Sequence, residues 1–471
     1  MLERLIAASL RFRIAVIAAT LALIGAGSWG LANISLDAFP DLTPNQVQII
    51  TVAAGLSPND VENLVSFPME TAMMGLPRTQ GVRSISKAGI SVVTVSYDDD
   101  VDMFFARAQV QQRMQDAAGS LPNGLRPSLG PPATPMGEVF QYLVESDTLS
   151  LMELKNLQEY TIRPQLRTIP GVAEVNSWGG LVQQFHVDAD PARLAGYGLT
   201  LHEVEEALAA NNGNFGAGYL EHNGERFTIR GLGRVASTTD IGNVVIATRN
   251  GGTPIYVHDI ARISVGPMPR EGAVSRDGRG ETLAGMIVML KGANGRQVVA
   301  RVEARLAAMR GQLPSGVTIR PFYNQGEVVD RTTRTVFRNL VEGGLLVTLI
   351  LFLFLRNIRA SLVTASVIPL SMLFAFLVME RWGVSANLMS LGALDFGLIV
   401  DASVVMVENF VRRLEHAGHL AADERRTLMR NAAAEVVRPI VFGVCIIIAV
   451  YVPIFSLQGL EGRMFAPMAF T

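Results

Sequence analysis

The run LDFGLIVDASVVMVEN, Leu394 to Asn409, holds three carboxylates, Asp395, Asp401 and Glu408, in a stretch otherwise apolar enough for a membrane-spanning helix. An ionised side chain at bilayer depth costs about 2.5–3.5 kcal/mol or more unless it is paired or wetted, so acids placed there mark proton or ion pathways more often than they merely pin helices together. Asp401 and Glu408 are seven residues apart, about 700° of helical rotation, and share a face, with Glu408 about 10 Å further along the axis. Asp395 stands six residues before Asp401 and points about 120° away. One straight helix cannot aim all three at one place. A bend near Gly392 or Gly397, or a second polar neighbour, brings Asp395 into the same path. Burial raises a carboxyl pKa and an adjacent cation lowers it, so an acid that alternates between such surroundings takes up a proton on one side and releases it on the other. Moving one charge through 100 mV yields about 2.3 kcal/mol for work. Glu408 lies nearest the basic end and within i, i+4 reach of Arg412.

Such an acid needs a membrane around it. Uninterrupted apolar runs of spanning length fall at Ile14 to Ala32, Leu340 to Leu355, Leu362 to Met379, Val384 to Val411 and Val437 to Leu457, and a sixth begins at MFAPMAFT. The first run is too long for a signal peptide and has no clean cleavage site, so it reads as a retained helix. Arginines before span one, between spans two and three and after span four share one side if every span crosses, which makes that side cytoplasmic and the 300-residue intervening segment extracytoplasmic. Composition agrees with this division: 49% hydrophobic residues and a mean hydropathy of +0.30 are too apolar for a soluble enzyme, while 17% charged residues are too many for a bare helix bundle. A net charge of −2 offers no basic field and excludes nucleic acid as a partner. Cys445 is the only cysteine, which excludes a disulfide framework; it is expected as a small buried hydrophobe. His416 and His419 have metal-compatible spacing but sit in the polar stretch RRLEHAGHLAADERR and read as a solvated loop. No P-loop, nucleophile elbow or HExxH motif is present, so no enzyme is expected.

The extracytoplasmic segment repeats itself. Strand, helix, strand, strand, helix and LPNGL over 47–130 are followed by a related order ending in LPSGV, with proline and glycine stops after each amphipathic helix. The expected class is α+β: a transmembrane bundle of about five spans and the start of a sixth, carrying two βαββαβ ferredoxin-like units, each sheet covered on one face by two helices. About ninety residues, Gly179 to Gly266, interrupt the second unit. They contain a hairpin signal at His222, Asn223 and Gly224, expected as a projecting arm near 211–230. The acidic run YDDDVD, Asp98 to Asp102, reads as helix capping rather than a cation site.

Together, the apolar first helix, LDAFPDLTPNQVQI after it, the duplicated external segment and NLMSLGALDFGLIVDASVVMVENFVRRL resemble the resistance–nodulation–division transporters along essentially the whole chain. The likeness is greatest to their heavy-metal-efflux branch, of the cobalt–zinc–cadmium type. It implies the N-terminal half of a homotrimeric pump in the bacterial inner membrane, with its large domain in the periplasm. It also implies a periplasmic adaptor and an outer-membrane channel as partners, no cofactor, and protons and a divalent metal ion as the species moved. By resemblance, 1–33 is the N-terminus and first span, 34–135 the first porter subdomain, and 136–178 with 271–325 the second. Residues 179–270 form the docking subdomain, and 326–471 the remaining spans. Asp401 matches the proton-relay aspartate and Asp395 the extra aspartate of the DFG segment, with Glu408 as the third candidate of the relay; metal ligands are not assigned. Drug exporters carry adjacent aspartates at the relay, whereas Asp401 is followed by Ala402 and Ser403, which argues for metal over drug. The missing half would supply the lysine partner of the relay, so the chain alone is expected not to transport. Alternatives are export of organic compounds, export of monovalent Cu or Ag along Met372, Met379, Met389 and Met406, and a non-transporting receptor or assembly scaffold.

Overall fold

The computed structural model describes residues 2–34, 42–122, 124–249, 252–270, 272–387, 390, 396–417 and 421–471. Two N-terminal helices, α1 (Leu2–Arg11) and α2 (Arg13–Asn33), lead to the first sheet. Its strands are β1 (Gln46–Val52), β2 (Thr79–Lys87), β3 (Ile90–Tyr97) and β4 (Pro127–Leu129), ordered β2-β3-β1-β4 with every neighbour antiparallel. The period-2 pattern of ISVVTVSY turns Val93, Val95 and Tyr97 inward. There they meet α3 (Pro58–Val61), α4 (Phe67–Met73) and α5 (Met103–Ala118) in a core that includes Ile49, Val65, Met69, Met73, Ala106 and Val110.

A π turn, Glu62–Ser66, joins α3 to α4, and the cause lies two residues on. Pro68 has no N–H and its ring clashes with the carbonyl four residues back, at Leu64, so the helix widens there rather than breaking. The first residue of α5 follows Asp102, whose carboxylate accepts from Phe105 N at 2.8 Å. Capping accounts for that aspartate alone. Asp98 and Asp100 pair with Arg78, and Asp99 pairs with Arg463, because only the residue at the helix boundary can reach the free amides.

The second sheet contains β5 (Glu138–Ser146), followed by α6 (Leu151–Leu157), a π turn Gln158–Ile162, α7 (Arg163–Arg167) and β6 (Val172–Gly179). Pro164 stands two residues beyond this π turn, as Pro68 does beyond the first. An inserted segment follows. In it β7 (Gln183–Ala189) pairs with β12 (Ala261–Pro267) over a core of Val204, Ile241, Val257 and Ile260. Between these strands run α8 (Pro191–Tyr197), α9 (Leu201–Ala210), β8 (Phe215–His222), β9 (Glu225–Gly231), α10 (Thr238–Gly242), β10 (Val245–Arg249), β11 (Thr253–Tyr256) and α11 (Val257–Ile260). Strands β8 and β9 form a hairpin exposed along almost its whole length; its turn residues Asn223 and Gly224 have φ of 51° and 81°, and the Arg226 guanidinium lies 3.4 Å from the Tyr219 ring centroid. The chain returns through β13 (Val274–Ser275), β14 (Glu281–Met289), α12 (Gly295–Met309) and β15 (Val317–Asn324). The resulting order, β6-β14-β5-β15, repeats that of the first sheet, with β13 added at the end of β14.

Helix α13 (Gln325–Leu355) begins directly at the end of β15 and is followed by α14 (Ile358–Ala365), α15 (Val367–Arg381), α16 (Phe396–Ala417), α17 (Ala422–Tyr451) and α18 (Gly459–Phe470). Among the described residues four helical segments are long and apolar enough to cross a membrane: Arg13–Asn33, Gln325–Phe354, Ile358–Arg381 and Asp423–Ser456. The helix of the second span therefore starts fifteen residues before the apolar run at Leu340, because EVVDRTTRTVFRN contains no helix breaker even though it is polar. Cys445, expected to be buried, is exposed. It shares its helix with exposed Phe442, Val444 and Ile446. Close approach of α2 to α15 depends on Gly27 and Gly30, since a Cβ at Gly27 would stand 2.6 Å from Leu373 Cβ and one at Gly30 would stand 3.0 Å from Leu377 Cα.

Candidate functional site

Helix α16 has two distinct faces. Val400 is buried against Leu351 of α13 and Ile368 of α15, with Val404 beside it. About 80° around the helix from these valines runs an exposed stripe, Asp401, Val405, Glu408, Arg412 and Glu415, at i, i+4, i+7, i+11 and i+14. The structure thus places Asp401 and Glu408 on one face. Neither makes a hydrogen bond or ion pair with another of the described residues' side chains. Asp395 and Gly392 lie outside those residues, while Gly397, the other place where a bend was expected, is helical within α16.

Glu408 does not take Arg412. Instead Arg412 Nη2 donates to Asn409 Oδ1 at 3.1 Å, and Asn409, 6% exposed, donates through Nδ2 to Ala432 O at 2.9 Å and to Glu435 Oε2 at 3.4 Å. Arg413 pairs with Glu435, closing the link between α16 and α17. Magnitudes explain the choice. An exposed i, i+4 pair contributes about 0.2–0.5 kcal/mol, whereas a buried carboxamide left without a partner costs about 1–3 kcal/mol. The only signal in the sequence was Asn409 itself, a polar residue on the face of α16 that its neighbour Glu408 does not share.

Just upstream, Asn387 and Ser390 are both buried and bond to each other: Asn387 N donates to Ser390 Oγ and Ser390 N donates to Asn387 Oδ1, each at 2.9 Å. The hydrogen-bonding pattern is N–x–x–S, a capping arrangement that was readable in NLMS.

Metal-ligand candidates are sparse. Among the described residues no group of three or more His, Cys, Asp or Glu side chains converges. His416 Nδ1 lies 2.7 Å from Arg412 O near the end of α16, and His419 lies outside the described residues. Met379 is fully buried beside Ile34, Phe376 and Phe470, and Met372 packs at its edge, so both are packing residues here; Met389 is outside the described residues.

A second charged constellation lies in the soluble part. Lys155, Glu159 and Arg163 follow one another at i+4 steps along the α6–α7 run, and Arg163 continues to Glu174 of β6, with contacts of 3.2, 2.7 and 3.1 Å. Burial pushes the Glu159 carboxyl up, but hydrogen bonds from Arg163, Ser177 and Lys155 outweigh it and hold the group below its ordinary value. Every charge in this ladder has a partner, which makes it a brace between helix and strand.

The AcrB/AcrD/AcrF family matches residues 5–471. The cation efflux system protein CzcA of Alcaligenes sp. (strain CT14) is 44% identical over all of this chain and 45% of that protein. The nickel-cobalt-cadmium resistance protein NccA of Alcaligenes xylosoxydans xylosoxydans is 41% identical over all of this chain and 47% of its own length. A crystal structure of a heavy metal efflux pump superposes with a TM-score of 0.90 at 34% identity, covering 99% of this chain and 46% of that one. The chain spans about half the length of the curated relatives it matches. With its apolar helices and paired sheets, this chain belongs to the AcrB/AcrD/AcrF family, in the heavy-metal-efflux branch of the resistance–nodulation–division transporters.

Proposed function

We propose that this chain is part of a proton-driven exporter of divalent heavy-metal cations of the Zn, Co, Cd and Ni class, with Asp401 as the proton-carrying group. The observation that carries this reading is the Asp401 stripe: an exposed carboxylate, without a partner among the described residues, on a helix whose Val400 side is packed among apolar spans. Lipid cannot accept that stripe without a cost of several kcal/mol, so in the working pump it faces a wetted path or another polypeptide segment. Asp401 takes up and releases the proton, Glu408 carries it along the same face, and Asp395 is the third acid of the path. Ala402 in place of a second acid favours metal over organic cargo, and the names of relatives such as the cobalt-zinc-cadmium resistance protein of Cupriavidus metallidurans point the same way.

The remaining assignments follow from the family. The pump is a homotrimer of the bacterial inner membrane, working with a periplasmic adaptor and an outer-membrane channel. The sheets at 34–135, and at 136–178 with 271–325, are porter subdomains; 179–270 is the docking subdomain, whose hairpin reaches a neighbouring subunit. The test is metal-dependent proton flux in vesicles containing the complete pump. Asp401→Asn is expected to abolish flux while leaving trimer assembly intact; equal flux in variant and wild type overturns the assignment.

A further inference from the structure

Three parts of the molecule meet at residues 43–45. Thr43 and Asn45 are buried, at 8% and 2% exposure, in the segment that enters β1. From the membrane side, Arg463 of α18 donates to the carbonyl of Thr43 and grips both carboxylate oxygens of Asp99, in the loop after β3. From within the first sheet unit, Asn45 Nδ2 donates to Asp98 O at 3.2 Å and to Val101 O at 2.6 Å, which holds the same loop from its other side. From the second unit, Lys291 Nζ, just beyond β14, donates to Asn45 Oδ1 at 3.1 Å. Helix α18 and both sheet units are therefore joined through one short segment, the links from Arg463 and Lys291 being charge-assisted hydrogen bonds, which are stronger than neutral ones.

Two features leave α18 free to act on this junction. It is separated from α17 by a tight turn, Val452–Ser456, and begins at Gly459 with φ of 65°, a conformation that favours a bend. An open cavity of about 1240 Å³, walled by Asp98, Asp99, Gln458 and Arg463 among others, lies against it, so its first turns are not packed solid.

We propose that residues 43–45 and the 98–101 loop form a coupling hub, through which displacement of α18 is transmitted by Arg463 to the first sheet unit and by Asn45–Lys291 to the second. It rests on the transport reading only for its use, in linking a membrane step to movement of the soluble units. Its test does not involve transport, so either idea can fail alone.

The measurement is hydrogen exchange on the complete pump in lipid nanodiscs. The Tyr97 amide donates to Asn45 O at 2.8 Å and the Lys291 amide to Pro132 O at 3.1 Å, which makes them reporters for the two units. Arg463→Gln is expected to raise exchange about tenfold at both, an opening cost of about 1.4 kcal/mol. In a Lys291→Met background the same change should still act on Tyr97 but no longer on residues 290–293. The exchanged pair Asp99→Arg with Arg463→Asp re-forms the ion pair but not the bond to the Thr43 carbonyl, so protection should recover in part, which separates loss of the ion pair from loss of folding. An unresponsive second unit in Arg463→Gln, an identical response in both backgrounds, or no recovery in the exchanged pair overturns the hub.

Discussion

The two sheet units share a strand order but solve the same packing problem with different side chains. Beside the π turn of the first, Thr51 of β1 faces Ser91 of β3; beside that of the second, Tyr142 of β5 faces Gly285 of β14. All the bulk has moved to one strand. A Cβ on Gly285 would sit 2.2 Å from Tyr142 Cζ, so the glycine is what admits the phenol ring. The ring then reaches the π turn, where Gln158 Nε2 donates to Tyr142 Oη at 3.0 Å and to Ser177 Oγ at 3.2 Å; burial pushes the Tyr142 hydroxyl pKa up. In the first unit the π turn meets only hydroxyls, Ser66 sharing hydrogen bonds of 2.7 Å with Ser86 and Ser91. Strand order tolerates such exchange because it depends on backbone pairing and on filling a fixed volume, not on which residue fills it.

Truncating each core tests whether the units are equally dependent on packing. Ile49→Ala and Ile287→Ala, both at fully buried positions, should each destabilise the chain by about 2–5 kcal/mol in chemical denaturation in detergent; a loss confined to one unit breaks the parallel. Overfilling probes the exchanged pair itself. Gly285→Val should cost about 1–3 kcal/mol, and adding Tyr142→Ile, which spreads the bulk over both strands, should return part of it. If the double variant is no better than the single, the two sites are not equivalent.

Smaller effects lie at the helix starts. Ser57 caps α3 and Ser150 caps α6, so replacing either with Ala should lower stability by about 1 kcal/mol in the same assay. A pH series separates them further. Hydrogen bonds from the Ser150 backbone and hydroxyl hold the Glu153 carboxyl below its ordinary 4.5. A lowered folded pKa means that this contribution is complete above the unfolded value and is lost as pH falls through the folded one. Glu153→Gln should therefore flatten the fall in denaturation midpoint below about pH 4.5, and leave the midpoint's pH dependence above it unchanged.

Much of the local structure was legible in advance. The helix over 103–118 is announced by Asp102 at its boundary, and the hairpin turn by Asn223–Gly224, because caps and turns depend on residues within reach of one another along the chain. The π turns were not foreseen, although Pro68 and Pro164 supply their cause. Relay candidates show the opposite balance. Helical periodicity puts Asp401 and Glu408 on one face, but it does not say which neighbour that face meets. Arg412 looked like the partner of Glu408 by spacing, and only the arrival of α17 with Ala432 and Glu435 made Asn409 the better target.

By itself the sequence determined where the chain can be apolar for the length of a bilayer, where strands alternate, where helices begin, and which acids stand in an expensive place. These are properties of neighbours in the chain and follow from periodicity and local hydrogen bonding. Tertiary structure alone decided that the four aspartates of YDDDVD have three different tasks, that Asp99 meets Arg463 across 364 residues, and that a glycine and a tyrosine share one volume. Such pairings depend on which surfaces the folded chain brings within a few ångströms, and no spacing along the sequence records that distance.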